Sequence, residues 1–263
     1  PTIPDGDSWT HTTVDAFVQR QRVRAGLRPS PEASPRLLIR RLYLDLLGIP
    51  PTPHEIADFL SDSDPLAYER LVDRVLASPR YGERWAQNWL DLIRFAESSG
   101  YEMNFWFPNA WPYRDYVIQS LNSDKPYDRF IFEQLAGDQI KQDSATGFLV
   151  AGPYDRSLNQ DPKFKAQQRQ DELDEIVKAT GAAFLGFSIG CARCHDHKFD
   201  PITQQDYYNL QAVFAGVRYR ERKWRGPEND RWQQQLPALS ARITDLREKL
   251  ETFRRKHSLR SPV

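Results

Sequence analysis

Cys191-Ala-Arg-Cys194-His195, inside the longer run CARCHDHKFDPIT at 191–203, decides what fold to expect of this chain. C-x-x-C-H is the pattern of covalent c-type haem attachment. Each thiol can add to one haem vinyl group to form a thioether. His195 then comes to lie under the ring, where its imidazole can ligate the iron. Two anchors and an axial ligand must meet a rigid plane within one helical turn, so the spacing matters. The chain has 2 cysteines, and this pentapeptide holds both. Two other chemistries use the same residues. A redox disulfide needs a thioredoxin-like βαβ context, which is not legible here. A zinc site could use Cys191, Cys194 and His197, but structural sites usually join two distant ligand pairs and no second Cys/His pair exists. The expectation is one covalent haem c.

Working outward, the motif ends a helical segment expected from about Gln167 to Ile189. Ile176, Val177, Thr180, Phe184 and Phe187 form its apolar side. Asp171, Glu172, Asp174 and Glu175 sit in its first turns, where the helix dipole favours acids, and read as a solvated face. After the motif, Thr203-Gln204-Gln205-Asp206 resembles a capping box with Asp in place of Glu. Tyr207, Leu210, Val213 and Phe214 follow at helical spacing.

The rest of the chain is punctuated for helices. Ser34-Pro35 opens one that carries Leu37, Leu38, Leu42, Leu46 and Leu47 and stops at Gly48. Thr52-Pro53-His54-Glu55 is a capping box. Tyr68, Leu71, Val72, Val75 and Leu76 make a third stripe, and Ser78-Pro79 caps a fourth through Trp85, Trp89 and Ile93. Between Ser98 and Pro112, Tyr101, Met103, Phe105, Trp106, Phe107 and Trp111 crowd a loop that should cover something. Helical spacing resumes at Tyr113 and again at Phe130, while 138–165 reads as polar and irregular. Leu236, Leu239, Ile243, Leu246, Leu250 and Phe253 then alternate spacings of three and four. The expected fold is mainly α: an irregular helical haem domain over 1–233, and a heptad-patterned linker or partner-docking helix over 234–263.

Composition narrows the function. With 36 basic and 36 acidic residues the formal charge is zero, which argues against nucleic acid held by bulk charge. No apolar run approaches a membrane span. The chain opens Pro1-Thr2-Ile3-Pro4 without methionine or signal peptide and reads as a mature fragment of a longer protein. Haem attachment normally happens outside the cytoplasm, so a periplasmic or cell-surface location is expected with it.

The motif together with DYYNLQAVF at 206–214 resembles the haem-bearing planctomycete cytochrome domain family, long known as a domain of unknown function. LIRRLYLDLLGIPPTPHEI at 38–56, YERLVDRVLASPRYGERWAQNWLDLIRFA at 68–96 and WPYRDYVIQSLNSDKPYDRFIFEQLAGD at 111–138 carry the same resemblance. It implies a part of a larger exported protein, with a fused cytochrome domain or separate redox partner, a helical linker, and a further C-terminal domain. The family's name implies electron transfer.

The sixth iron position is open in the sequence. Met103, the only methionine, is one candidate; His11, His54 and His257 are weaker ones. Trp106 and Trp111 are expected to wall the haem, and Arg114, beside Asp115, to hold a propionate or polarise a distal ligand, unless it forms an internal ion pair between helices. Arg193 and Lys198 have the same propionate option. His197 is expected in a polar cluster with Asp196 and Asp200, or binding a small metal with them. Three functions fit: an electron-carrying domain in a larger oxidoreductase system, for which the family resemblance implies carbohydrate oxidation as the setting; a haem enzyme with an open distal face; and a surface-assembly module with a structural haem or zinc.

Overall fold

The computed structural model describes residues 9–101, 103–155, 160–221 and 227–256. His257 lies outside them. The chain forms two compact units, Pro1–Val75 and Leu76–Val263. Both are helical, and an isolated bridge between Ser98 and Trp106 is the only β pairing among the described residues.

The first unit holds α1 (Thr13–Arg24), α2 (Pro35–Leu47), α3 (Pro53–Ser61) and most of α4 (Ala67–Leu76). The capping box at α3 is reciprocal: Thr52 Oγ1 accepts from the Glu55 amide at 3.3 Å, and a Glu55 oxygen accepts from the Thr52 amide at 2.7 Å. The other Glu55 oxygen accepts from the Tyr43 hydroxyl at 2.9 Å and ties α2 to α3. Burial, then the carboxylate, push the Tyr43 phenol up to about 12. Ser34 stands before α2, but its carbonyl rather than its hydroxyl meets the first-turn amides. Gly48 ends α2 in the left-handed conformation expected of a glycine stop. The buried face of α2 is Ile39, Tyr43 and Leu47, with the leucine stripe lying partly beside it.

The second unit is built on α5 (Pro79–Leu92), α6 (Trp111–Asn122), α7 (Tyr127–Ala136), α8 (Pro162–Thr180), α9 (Gln204–Val213) and α10 (Pro227–Lys256). One core gathers Tyr113, Tyr116 and Val117 of α6 with Phe130 of α7 and Phe148. A second joins Leu173, Ile176 and Val177 of α8 to Ile189, Ala192, Tyr207 and Phe214. Burial of each large side chain contributes roughly 1.5–3 kcal/mol.

Two expectations about this unit are corrected. Residues 138–165 are not simply irregular: Gly137–Ile140 and Asp143–Val150 are 3₁₀ turns, and Ala145 and Phe148 are buried in the first core. Polar composition hides them because only scattered positions face inward. The helix before the motif starts at Pro162, capped by Asp161, and leaves α geometry at Thr180. A π turn, Gly181–Leu185, then runs into left-handed Gly186. A side chain at Gly181 would meet Ile189 at 2.5 Å, so the glycine lets the chain fold back closely enough to start the motif.

Candidate haem-attachment site

The motif occupies a short 3₁₀ turn, Ile189–Arg193, followed by Cys194 and His195. Ile189 and Ala192 point into the second core, which leaves Cys191 and Cys194 exposed as free thiols. The turn is fastened from below. Arg193 donates to Asp174 at 3.1 Å and to Asp171 at 2.9 Å. Its carbonyl accepts from Gln204 Nε2 at 3.1 Å and from the Tyr208 hydroxyl at 3.2 Å. The stem of Lys178 lies where a side chain on Gly190 would fall, 2.6 Å away, and its Nζ reaches Asp174 at 2.6 Å.

Asp174 is the hub of this clamp. It is 3 % exposed and also accepts from the fully buried Tyr207 hydroxyl at 2.6 Å. The acids of α8 are therefore not a solvated face. Asp174 is interior, Glu172 pairs with Arg169, and Glu175 pairs with Arg94. A helical wheel foresees only the local pairs, Arg169 with Glu172 and Lys178 with Asp174; Arg94, Arg193 and Tyr207 come from far away in sequence. Burial pushes the Asp171 carboxyl up, but hydrogen bonds from Gln167 and Arg193 outweigh it and hold the group below its ordinary range. The same pairing, Asp171 first, raises Arg193. Burial, then Asp174, push the Tyr207 phenol up.

The partners of the two histidines fix different roles. His195 is exposed, and its Nδ1 lies 2.7 Å from the Asp196 carbonyl. A carbonyl only accepts, so Nδ1 donates, and in the neutral ring the lone pair is then on Nε2. That arrangement also orients metal-ligating histidines. The His197 side chain is buried, and its Nδ1 accepts from the Asp200 amide at 2.9 Å, so Nε2 donates to Ser188 Oγ at 3.1 Å. His197 braces the loop with both nitrogens used. The Asp196 carboxylate instead accepts from the Gln204 amide at 2.8 Å, at the start of α9. Among the described residues no group of three or more His, Cys, Asp or Glu could hold a metal ion. Two exposed thiols and one imidazole lie on a single turn, donors that a haem c would use, with Leu185, Phe187 and Phe199 exposed nearby in the chain.

Residues 13–219 match the PSCyt2 family, described as a protein of unknown function (DUF1549). The chain belongs to the PSCyt2 family. No curated protein and no solved structure matches it. The PSCyt2 match covers the motif, its clamp and both cores, and stops short of α10.

The other expected site residues of this PSCyt2 domain lie on or beside the 98–112 loop. Its backbone is a tight hairpin: Ser99 is buried, its amide donates to the Phe105 carbonyl at 2.8 Å, and its carbonyl accepts from the Tyr154 amide at 2.9 Å. Gly100 and Tyr101 turn the chain in left-handed conformations. Several large side chains of this loop are exposed. Met103 is 57 % and Trp106 70 % exposed, because the hairpin is pinned through Ser99 and turns these side chains outward. Trp111 opens α6, so that helix starts two residues before the expected Tyr113. Arg114 is half-exposed and pairs with Glu97 of the preceding loop at 2.7 Å and with Asp115 of its own helix at 3.0 Å, rather than in an internal pair between helices. Tyr101 lines a small cavity with Phe164, Gln168, Asp171 and Glu175, and Asp171 also holds Arg193. One carboxylate is thus shared by that cavity and the motif. Lys198 lies over the Phe199 ring, 5.4 Å from its centre. His11 and His54 are exposed residues of the first unit.

Proposed function

We propose that the chain is a c-type haem domain that passes single electrons within a larger exported oxidoreductase system. The observation that carries this reading is the state of 191–195. Both thiols are exposed and unpaired, and His195 uses Nδ1 for its backbone partner and leaves Nε2 unbonded on the same clamped turn. Haem, when bound, would supply a one-electron couple. Cys191 and Cys194 would hold it covalently, His195 would ligate the iron through Nε2, and Arg193 would keep the turn on α8. A periplasmic or cell-surface location, a fused cytochrome domain or redox partner, and carbohydrate oxidation as the setting complete the proposal. No helix among the described residues is long and apolar enough to cross a membrane.

One observation favours a second reading, a haem enzyme with an open distal face. Met103 is exposed, and its carbonyl is bound by Ser99 within the hairpin. If Met103 does not ligate, the sixth position is open to substrate.

The test is expression in a host that matures c-type cytochromes. Intact mass should rise by one haem that survives acid-acetone extraction, and Cys191→Ala or Cys194→Ala should weaken its retention. A colourless, folded and fully matured protein would end the proposal. A low-spin spectrum that Met103→Ala converts to high-spin supports the carrier. Fast carbon monoxide binding, unchanged by Met103→Ala, supports the enzyme.

A further inference from the structure

We propose that α10 docks an amphipathic helix of another protein or domain whose apolar seam is flanked by acidic residues. The surface is a narrow stripe. Leu236, Leu239, Ile243, Leu246 and Leu250 recur at alternating intervals of three and four and are each 45–54 % exposed. Such a stripe covers the a and d positions of a heptad and is the seam of a coiled coil rather than the broad face of a core-packing helix. Among the described residues α10 adds no buried side chain to either core. Pro237 falls at position b, off the seam, where it interrupts the helix hydrogen bonds without blocking a partner's approach.

The flanks identify the partner. From Leu236 at a onward, the charged e and g positions are Arg242, Arg247, Lys249, Arg254 and Lys256, all basic. The acids Asp245, Glu248 and Glu251 fall at c, f and b, on the outer side. Two flank cations lean toward them, Lys249 to Asp245 at 2.7 Å and Arg254 to Glu251 at 3.0 Å. These are exposed pairs of the kind that a facing carboxylate can share. A second copy of α10 is a poor occupant. Parallel pairing sets Arg242 against Arg247 and Lys249 against Arg254, and antiparallel pairing sets e against e and g against g, again basic on basic. Like charges across a seam exclude partners, and glutamate or aspartate at the facing positions selects them. An anionic membrane would also attract the flanks, but membrane-surface helices present a wider apolar face than this single seam.

The experiment uses the whole chain and two synthetic helical peptides of about four heptads, with Ile at a and Leu at d. One carries Glu at every e and g, the other Lys. Titration calorimetry should show the Glu peptide binding at least about tenfold more tightly than the Lys peptide, with the advantage shrinking as salt rises. Leu246→Glu, checked for helix content by circular dichroism, should abolish binding. The double variant Arg247→Glu/Lys249→Glu should move the preference toward the Lys peptide. Equal binding of both peptides, or of neither, by a chain with intact helix content overturns the proposal. So does self-association lost in Leu246→Glu, which would make the occupant a second copy. Binding to phosphatidylserine vesicles without binding to the Glu peptide would make it a membrane.

Discussion

Tyr207 of α9 donates its hydroxyl to Asp174 of α8 at 2.6 Å, although neither residue is exposed by more than 3 %. An interior carboxylate of this kind persists only when fully partnered. Here Arg193 and Lys178 complete the set, so the residue that stitches α8 to α9 also holds the Cys191–His195 turn.

Asp174→Ala should therefore cost about 2–4 kcal/mol, because it strands a buried phenol and removes one of the two anchors of Arg193. Tyr207→Phe should cost about 1–2 kcal/mol, since the ion pairs survive it. Urea unfolding measures both, and hydrogen exchange at 189–195 should accelerate far more in Asp174→Ala than in Tyr207→Phe. Equal exchange in the two variants would detach the turn from the clamp.

Both thiols should react with a small disulfide reagent in the folded, haem-free protein without denaturant, because both cysteines are exposed. Cys191→Ser and Cys194→Ser should each change stability by no more than about 0.5 kcal/mol, as surface substitutions do. A thiol that reacts only on unfolding would contradict this placement.

Acid should undo the structure in a defined window. Burial raises Glu133, but Lys125, Arg129 and Tyr116 outweigh it, and its folded pKa lies below the ordinary value. Asp171 is lowered in the same sense. A depressed carboxyl stabilises the fold above its unfolded pKa, about 4 for these groups, and loses that contribution as pH falls through the lower folded value. Thermal midpoints should therefore be flat from about pH 7 to 5 and drop below about pH 4. Glu133→Gln should flatten the drop.

Gly147→Ala should be destabilising by roughly 1–3 kcal/mol, since a Cβ there would lie 2.7 Å from the Tyr113 side chain. Gly82→Ala should behave alike, meeting the Ile118 carbonyl at 2.5 Å. Gly216→Ala, with open space around it, is the control. Thermal unfolding separates the three.

The local punctuation of the fold is legible in the sequence because caps are short-range. Thr52 with Glu55 and Thr203 with Asp206 form the reciprocal bonds that their spacing predicts. Apolar stripes likewise mark α4 and α5. What stays hidden depends on distant partners. Asp174 looks like any acid in a helix until Arg193 and Tyr207 arrive from 19 and 33 residues away. The outward turn of Trp106 is hidden too, because a buried Ser99 sets it and composition does not. The Cys191–His195 turn is legible as a motif. Only the fold explains why its second variable residue is an arginine, and which histidine nitrogen is free.

The Cys191–His195 turn is fastened on one side only, with its small residues and arginine facing α8 and its thiols facing water. Its reactive atoms are thus left out of the folding problem. A group joined to either sulfur would sit on the solvent side of the turn and leave its contacts with α8 in place.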